Sequence, residues 1–326
     1  MFARLPPLAR LTVACAALVL VAWTVSALTD DPETPDATTT TTTTTSPFGP
    51  VPGDGAGVVR TEAGLVLPIT GGEPGRWSVL TPCGAEGTAA GEVVEGAHVV
   101  LDPGHGGEET GAIGPSGLVE AELNLDVARR AAAALRERGA TVALTRQADV
   151  RVTLRTRAAV VRALDPLLFA SIHHNGGPTT PSDRPGVQVY HQHRAPDSAR
   201  FAGILFEELD EALAPFSDAW SGGDARGVRA RLDGAEQDFY GILRETAGTP
   251  GVLAEALYQS SEPEASLLLE DDVRQAEAEA IADAVVAWLE TGDAGSGFLP
   301  PLRSAESAGG GGGTGGCEDP PLTEPG

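Results

Sequence analysis

The chain has 326 residues, of which 46 are acidic and 22 are basic, giving a formal net charge of −24. So acidic a chain has no electrostatic reason to bind nucleic acid or an anionic membrane surface, and we exclude nucleic acid as a partner. Between its low-complexity ends the length leaves room for one globular unit of ordinary size, large enough to bury a core.

The first segment, residues 1–28, is typical of an export signal. Arg4 and Arg10 precede an apolar run over residues 11–28, and small residues lie near the end of that run. The run is also long enough to remain in place as a single membrane anchor, so cleavage and retention both stay open. Either outcome predicts an exported protein.

Three further segments flank the central part of the chain. Residues 29–57 are rich in Thr, Pro and Gly and are predicted to be a linker, and the Gly-rich residues 293–326 are predicted to be a flexible tail. Residues 58–80 alternate short β-branched runs with turn residues, which predicts two or three strands, and residues 58–95 as a whole are predicted to be a small β module. Two cysteines follow the signal, Cys83 and Cys317, and in an exported chain we expect a disulfide between them. Two free thiols are the alternative.

The central segment, residues 96–292, alternates strand patterns with helix patterns. The predicted helices are LVEAELNLDVARRAAAALRERG, TLRTRAAVVRAL, DSARFAGILFEELDEAL and VRQAEAEAIADAVVAWLE. The predicted strands are AHVVLD, TVALTR, LLFASI, GVQVY and GVLAEALY. This alternation predicts an α/β fold: a twisted, mostly parallel sheet of about six strands with helices on both faces, preceded by the small β module. Ligands of such sheets bind at the carboxyl ends of the strands.

Residue types that bind metals lie at or beyond these strand ends. His105 follows the first strand in a Gly-rich loop, Glu120 begins the next helix, and His173 and His174 end the third strand. Taken alone, Glu120 is more often a solvated charge and a strand-end histidine is more often structural. Glu255 is less ordinary, because a carboxylate inside an apolar strand must be paired, metal-bound or neutral. Three ligands and a further Glu fit a catalytic zinc site, which keeps one position open for water.

Four motifs together carry a resemblance to a known family. VVLDPGHGG, GLVEAELNL, LFASIHHN and GVLAEALY resemble, in order and spacing over about residues 97–290, the zinc-dependent N-acetylmuramoyl-L-alanine amidases of the amidase type 3 family. The resemblance implies that His105, Glu120 and His173 bind Zn²⁺ and that Glu255 is the catalytic glutamate. It also implies the substrate, peptidoglycan, in which the amide between N-acetylmuramic acid and L-alanine of the stem peptide is hydrolysed.

The residues beside the implied ligands carry expectations of their own. Neighbours on a strand point to opposite faces, so one histidine of the adjacent pair should face the metal, and the resemblance assigns that role to His173. His174 stands where the family usually has Ala, and we expect it to contact substrate or a neighbouring loop at most. Asp102 and Asn175 could hydrogen-bond the free ring nitrogens of the ligands, or could serve strand-end turns instead.

Two other functions remain open at this point. The residues after Glu255 read ALYQSS, where the family commonly has Gly-Phe and then Ser-Asn, so the chain could be an impaired relative that binds peptidoglycan without cutting it. Another zinc peptidase or deacetylase on the same framework is the second alternative. Residues 213–237 are a candidate blocking segment or substrate loop, and an activator protein is a possible partner.

Overall fold

The computed structural model describes residues 46–53, 55–176, 186–216, 226–304 and 315–322. The predicted signal or anchor and most of the predicted linker therefore lie outside the described residues, as do residues 305–314 of the predicted tail. Within the described ranges no helix combines the length and the apolar character that crossing a membrane requires.

The first part of the described chain folds into a sheet of five antiparallel strands, in the order β4-β3-β2-β1-β5. Its strands are β1 (Val58–Arg60), β2 (Val66–Glu73), β3 (Arg76–Leu80), β4 (Glu86–Ala89) and β5 (Glu92–Val94). The expectation of two or three strands in residues 58–80 is confirmed by β1, β2 and β3, and β4 and β5 extend the same sheet beyond that range. Three of the strands are only three or four residues long, too short for the alternation of apolar and polar residues to show in the sequence.

A six-stranded sheet forms the centre of the fold, in the order β10-β9-β12-β8-β6-β7. Its neighbouring strands are parallel except for β9 and β12, which are antiparallel. The remaining strands, in chain order, are β6 (Val99–Pro103), β7 (Val142–Leu144), β8 (Leu168–Asn175), β9 (Gln188–His191), β10 (Gly227–Arg229), β11 (Arg231–Leu232), β12 (Gly251–Tyr258) and β13 (Leu302–Arg303). Of these, β11 and β13 form a separate two-stranded sheet. The predicted α/β class, with a mostly parallel central sheet, is confirmed.

Helices cover both faces of this sheet. They are α1 (Glu120–Glu137), α2 (Leu154–Leu164), α3 (Pro196–Leu213), α4 (Gly241–Glu245), α5 (Glu262–Leu267) and α6 (Asp271–Glu290). On one face, apolar side chains of α1, α3 and α6 pack against the sheet, and on the other face those of α2 and α4 do so. The short β10, α4 and α5 had no counterpart among the predicted elements.

The alternation of side chains along β8 decides which residues face which layer. Leu168, Ala170 and Ile172 point into the core beneath α1, α3 and α6, whereas Phe169 points into the core beneath α2 and α4. Because side chains alternate along a strand, His174 points to the same face as Ile172. His173 points to the opposite face, that of Phe169, at a position past the apolar core. The two adjacent histidines are therefore separated by the sheet itself.

The C-terminal residues 315–322 lie against the antiparallel sheet. A disulfide joins Cys83 to Cys317, so the structure contains the pairing expected from the cysteine count. Asp319 accepts hydrogen bonds from the hydroxyl of Thr81 and from the backbone N–H of Cys83, both at 2.7 Å. Leu322 packs against the core of the same sheet. This end of the chain is therefore attached to the sheet by covalent, polar and apolar contacts.

The candidate blocking segment, residues 213–237, is described only in part, because residues 217–225 lie outside the described ranges. Its last part contributes β10, the strand at one edge of the central sheet, and β11. Those residues therefore belong to the fold's regular structure.

Candidate metal site and cleft

Three side chains of metal-binding type converge at the carboxyl ends of β6 and β8. Glu120 Oε1 lies 3.2 Å from His105 Nε2 and 3.0 Å from His173 Nδ1. One ligand atom from each residue lies within 4.8 Å of the other two. Two imidazole nitrogens and a carboxylate oxygen are a donor set that zinc accepts in catalytic sites. The residues present therefore fit the metal that the sequence pattern implies.

Separate elements of the fold supply the three side chains. His105 follows β6 and has a backbone φ of 60°, a left-handed conformation that few non-glycine residues adopt. Glu120 is the first residue of α1, where the helix dipole favours a carboxylate. His173 is the sixth residue of β8. The site therefore depends on the docking of α1 against the sheet as well as on the loop before it.

Two buried arginines hold the loop that carries His105. Arg157 donates to the carbonyl of His105 at 2.6 Å, and Arg146 donates to the carbonyl of Gly104 at 2.9 Å. Burial, with the nearby positive charge of Arg157, lowers the pKa of Arg146 to about 10, so it stays protonated at neutral pH. Neither arginine is among the candidate site residues of the sequence analysis, so their part in shaping the site was missed.

Two glycines allow the ligands to approach the backbone closely. A Cβ on Gly104 would lie 2.1 Å from Cε1 of the His173 ring. A Cβ on Gly111 would lie 2.4 Å from Oε2 of Glu120, and the φ of Gly111 is +69°. Contacts this short are not possible between carbon and these atoms unless the ligand side chain or the backbone shifts. The Gly-rich character of the loop is therefore required by the packing of the ligands.

Glu255 lies beside the three-residue cluster with a free carboxylate oxygen. It is the register partner of His173 on the neighbouring strand β12, so both side chains project from the same face of the sheet. Glu255 is 9% exposed, and its Oε2 has no hydrogen-bond partner among the described residues. Burial, and after it the negative charge of Glu120, raises the pKa of Glu255 well above its ordinary value. A cation at the cluster would act in the opposite direction.

A cleft adjoins this cluster, in two lobes that share His105, Gly111, His173 and Glu255. The first lobe, which we call the aromatic lobe, has a volume of about 560 Å³. Its wall includes Phe239, Tyr240, Ile242 and Leu253. The second, which we call the polar lobe, has a volume of about 510 Å³. It is lined in part by Ala112, Ile113, Asn175 and Gly176. An elongated substrate therefore has room in two lobes that meet at the cluster.

Asp102 does not contact the ligand histidines, contrary to one of the two expectations. Its Oδ1 accepts from Thr145 at 2.5 Å and from Arg157 at 2.6 Å, and its Oδ2 accepts from Ser171 at 2.8 Å. Burial works against the charged form, but Arg157 and these hydrogen bonds hold the pKa of Asp102 below its usual value. Asp102 therefore acts through Arg157 on the backbone of His105.

Asn175 also differs from the expectation that it would hydrogen-bond a ring nitrogen. Its Nδ2 donates to Gln188 Oε1 at 2.9 Å, on the neighbouring part of the sheet. Its backbone carbonyl accepts from the N–H of Gln259 at 2.6 Å. Asn175 still lines the polar lobe, but its amide is used to join strands.

His174 is 1% exposed and adjoins the polar lobe, but its side chain points away from the cleft. Its Nδ1 is 2.8 Å from Asn124 Oδ1, and its Nε2 is 3.0 Å from Glu277 Oε2. The ring therefore contacts α1 and α6 rather than a loop, because the alternation of β8 directs this side chain under those helices. Asn124 was also missed, although its position four residues after Glu120 places both on one face of the helix.

Comparison with known proteins agrees with this geometry. The Amidase_3 family, described as N-acetylmuramoyl-L-alanine amidase, matches residues 99–287. The chain is 32% identical over 221 residues to the uncharacterized protein YqiI of Bacillus subtilis, which covers 66% of this chain and 98% of YqiI. It is 32% identical over 197 residues to the N-acetylmuramoyl-L-alanine amidase LytC of the same organism, covering 60% of this chain.

A solved structure resembles the same part of the chain. The catalytic domain of CwlV, an N-acetylmuramoyl-L-alanine amidase from Bacillus (Paenibacillus) polymyxa var. colistinus, is 29% identical with a TM-score of 0.50. The match covers 59% of this chain and 97% of that domain. The aligned part of LytC amounts to 36% of its length, so the activity of that whole protein is a proposal for this chain. The family match spans more than half of the 326 residues. It contains the three residues of the cluster and the neighbouring Glu255. The chain therefore belongs to the N-acetylmuramoyl-L-alanine amidase family Amidase_3.

Proposed function

We propose that this chain is a zinc-dependent hydrolase that cleaves the amide between N-acetylmuramic acid and L-alanine in peptidoglycan. The observation that carries the proposal is the convergence of His105, Glu120 and His173 next to Glu255, whose Oε2 has no hydrogen-bond partner among the described residues. Membership of the family, and the named amidases among its similar proteins, support the substrate class.

In this proposal His105, Glu120 and His173 hold the metal ion. When bound, zinc supplies a Lewis acid that activates water near neutral pH and polarises a carbonyl oxygen. Arg157 keeps the carbonyl of His105 in place, and Gly104 lets the His173 ring reach its position. The donor atoms are thus already in position before a metal ion binds, which reduces the free-energy cost of ordering them on binding.

Glu255 acts as the general base and then as the general acid. Its carboxylate takes the proton that the attacking water loses and delivers it to the nitrogen of the leaving L-alanine. Its burial favours holding that proton between the two steps, because a protonated carboxyl in a dry site costs less than a charged one. A group of this kind contributes about 10²- to 10⁴-fold to the rate.

The two lobes of the cleft give an elongated substrate room to bind. The aromatic lobe and the polar lobe both adjoin the cluster, so the sugar part and the peptide part of the substrate can each occupy one lobe. We further propose residues 96–292 as the catalytic domain, 58–95 as a β module, and residues 1–28 as the export signal or anchor. This places the enzyme in the cell wall or outside the cell, where an activator protein could regulate it.

Release of new L-alanine amino termini from purified peptidoglycan tests the proposal. The zinc-loaded protein is expected to release them, a chelator is expected to stop the release, and added Zn²⁺ is expected to restore it. If the zinc-loaded protein binds peptidoglycan but releases no amine, the correct function is binding of peptidoglycan without cleavage. If zinc binds and other bonds are cut, the peptidase or deacetylase alternative is correct.

A further inference from the structure

A chain of buried hydrogen bonds links helix α6 to Glu120. Glu277 of α6 contacts His174 of β8, His174 contacts Asn124 of α1, and Asn124 Nδ2 donates to Glu120 Oε1 at 3.4 Å. Asn124 Nδ2 also donates to the carbonyl of Gly104 at 3.2 Å. Glu277, His174 and Asn124 are each at most 1% exposed. The chain therefore lies behind the cluster and outside the cleft.

The direction of these hydrogen bonds follows from what each group can donate. The amide nitrogen of Asn124 faces two acceptors, Glu120 Oε1 and the Gly104 carbonyl, so its oxygen faces His174 and needs a donor there. His174 must therefore carry a proton on Nδ1. A ring protonated on Nε2 alone would turn a lone pair toward the oxygen of Asn124, which is repulsive.

Glu277 holds the other side of the same ring. Its Oε2 lies 3.0 Å from His174 Nε2, within hydrogen-bond distance. The ring is therefore held between Glu277 and Asn124, which keeps Nδ1 directed at the oxygen of Asn124.

We propose that Glu277 and His174 are positioning residues for the metal ligand Glu120, acting through the amide of Asn124. The proposal rests on the metal-binding role of His105, Glu120 and His173 described above. The oriented amide holds Glu120 Oε1, the oxygen that both ligand histidines face, and holds the carbonyl of Gly104 beside the His173 ring. Groups that fix a metal ligand in this way typically change metal affinity by about 10- to 100-fold.

Two substitutions of Glu277 by side chains of similar size distinguish a positioning role from simple filling of the core. Glu277→Gln keeps a donor for His174 Nε2, so the ring keeps its Nδ1 proton and the amide of Asn124 keeps its direction. Glu277→Met fills the space but offers no polar atom, so the buried Nε2 is unpaired and the ring is no longer held. We expect Zn²⁺ affinity within about threefold of the unsubstituted protein for the glutamine variant, and about 10- to 100-fold weaker for the methionine variant.

The measurement is a competition titration of the full chain with a zinc chelator, with thermal unfolding of the metal-free proteins as a control for folding. Nitrogen NMR of the His174 ring in the unsubstituted, metal-free protein gives a second readout that needs no variant, and it should find Nδ1 protonated. Equal zinc affinity in the two variants, or an unprotonated Nδ1, would overturn the positioning role. If the unsubstituted protein takes up no zinc while His174 Nδ1 is protonated, the proposed function is wrong and the positioning role falls with it. If only the positioning role is wrong, the unsubstituted protein still binds stoichiometric zinc and releases amine from peptidoglycan.

Discussion

Glu255→Gln is expected to reduce the rate of amine release from peptidoglycan by about 10³-fold while leaving the zinc content unchanged. Glutamine has nearly the same shape as glutamate but cannot take up a proton, so the substitution removes the base without opening a cavity. Because Glu255 Oε2 has no partner among the described residues, the substitution breaks no hydrogen bond of that oxygen. The rate is measured from new L-alanine amino termini at saturating zinc.

The control for this variant is binding to peptidoglycan, which should remain close to that of the unsubstituted protein. A rate within about tenfold of the unsubstituted protein, with zinc bound, would mean that another group accepts the proton of the attacking water. Loss of zinc together with activity would mean that Glu255 acts as a ligand.

His173→Ala is expected to leave the purified protein without stoichiometric zinc, whereas His174→Ala is expected to retain it. His173 contributes one of three ligand atoms, and loss of one leaves two at a site that zinc usually binds with three or four. His174 points away from the cleft and affects the metal through Asn124, so its loss weakens affinity without removing a donor. Metal analysis of both proteins after dialysis against a fixed Zn²⁺ concentration checks the difference.

His174→Ala also leaves Glu277 buried without its partner, so its unfolding temperature must be measured beside its zinc content. Equal loss of zinc from two folded variants would contradict the assignment of His173 as the ligand of the pair.

The fold class was predictable because its signals are periodic and local. In α1, Leu123, Val127, Ala131 and Leu135 recur every four residues and are buried, and Gly139 follows the end of the helix with a φ of +93°. The short strands β4 and β5 and the short helices α4 and α5 contain too few residues for a period to appear. β4 and β5 form by pairing with β3 and β1 in the same sheet, and α4 forms where Ile242 and Leu243 are buried in the core.

The candidate site was predictable to the level of which residues lie at strand ends, and no further. His105, Glu120 and His173 meet because the sheet is parallel, which the alternation of elements already implied. The partners of Asp102 could not be predicted in the same way, because Thr145, Arg157 and Ser171 come from three separate elements.

The two adjacent histidines show the same limit of prediction from sequence. Strand alternation predicted that they face opposite sides, and they do. That His174 would meet Glu277 required the packing of α6 over α1, which no local pattern contains.

One measurement tests the central claim most directly: mass spectrometry of the products formed from a defined disaccharide peptide in water enriched in ¹⁸O. Hydrolysis by activated water at the lactyl amide predicts one heavy oxygen in the new carboxylate of N-acetylmuramic acid, and a released peptide with an unlabelled amino-terminal L-alanine. Heavy oxygen in a peptide fragment or in released acetate would contradict the account, as would an intact substrate after incubation with the zinc-loaded protein.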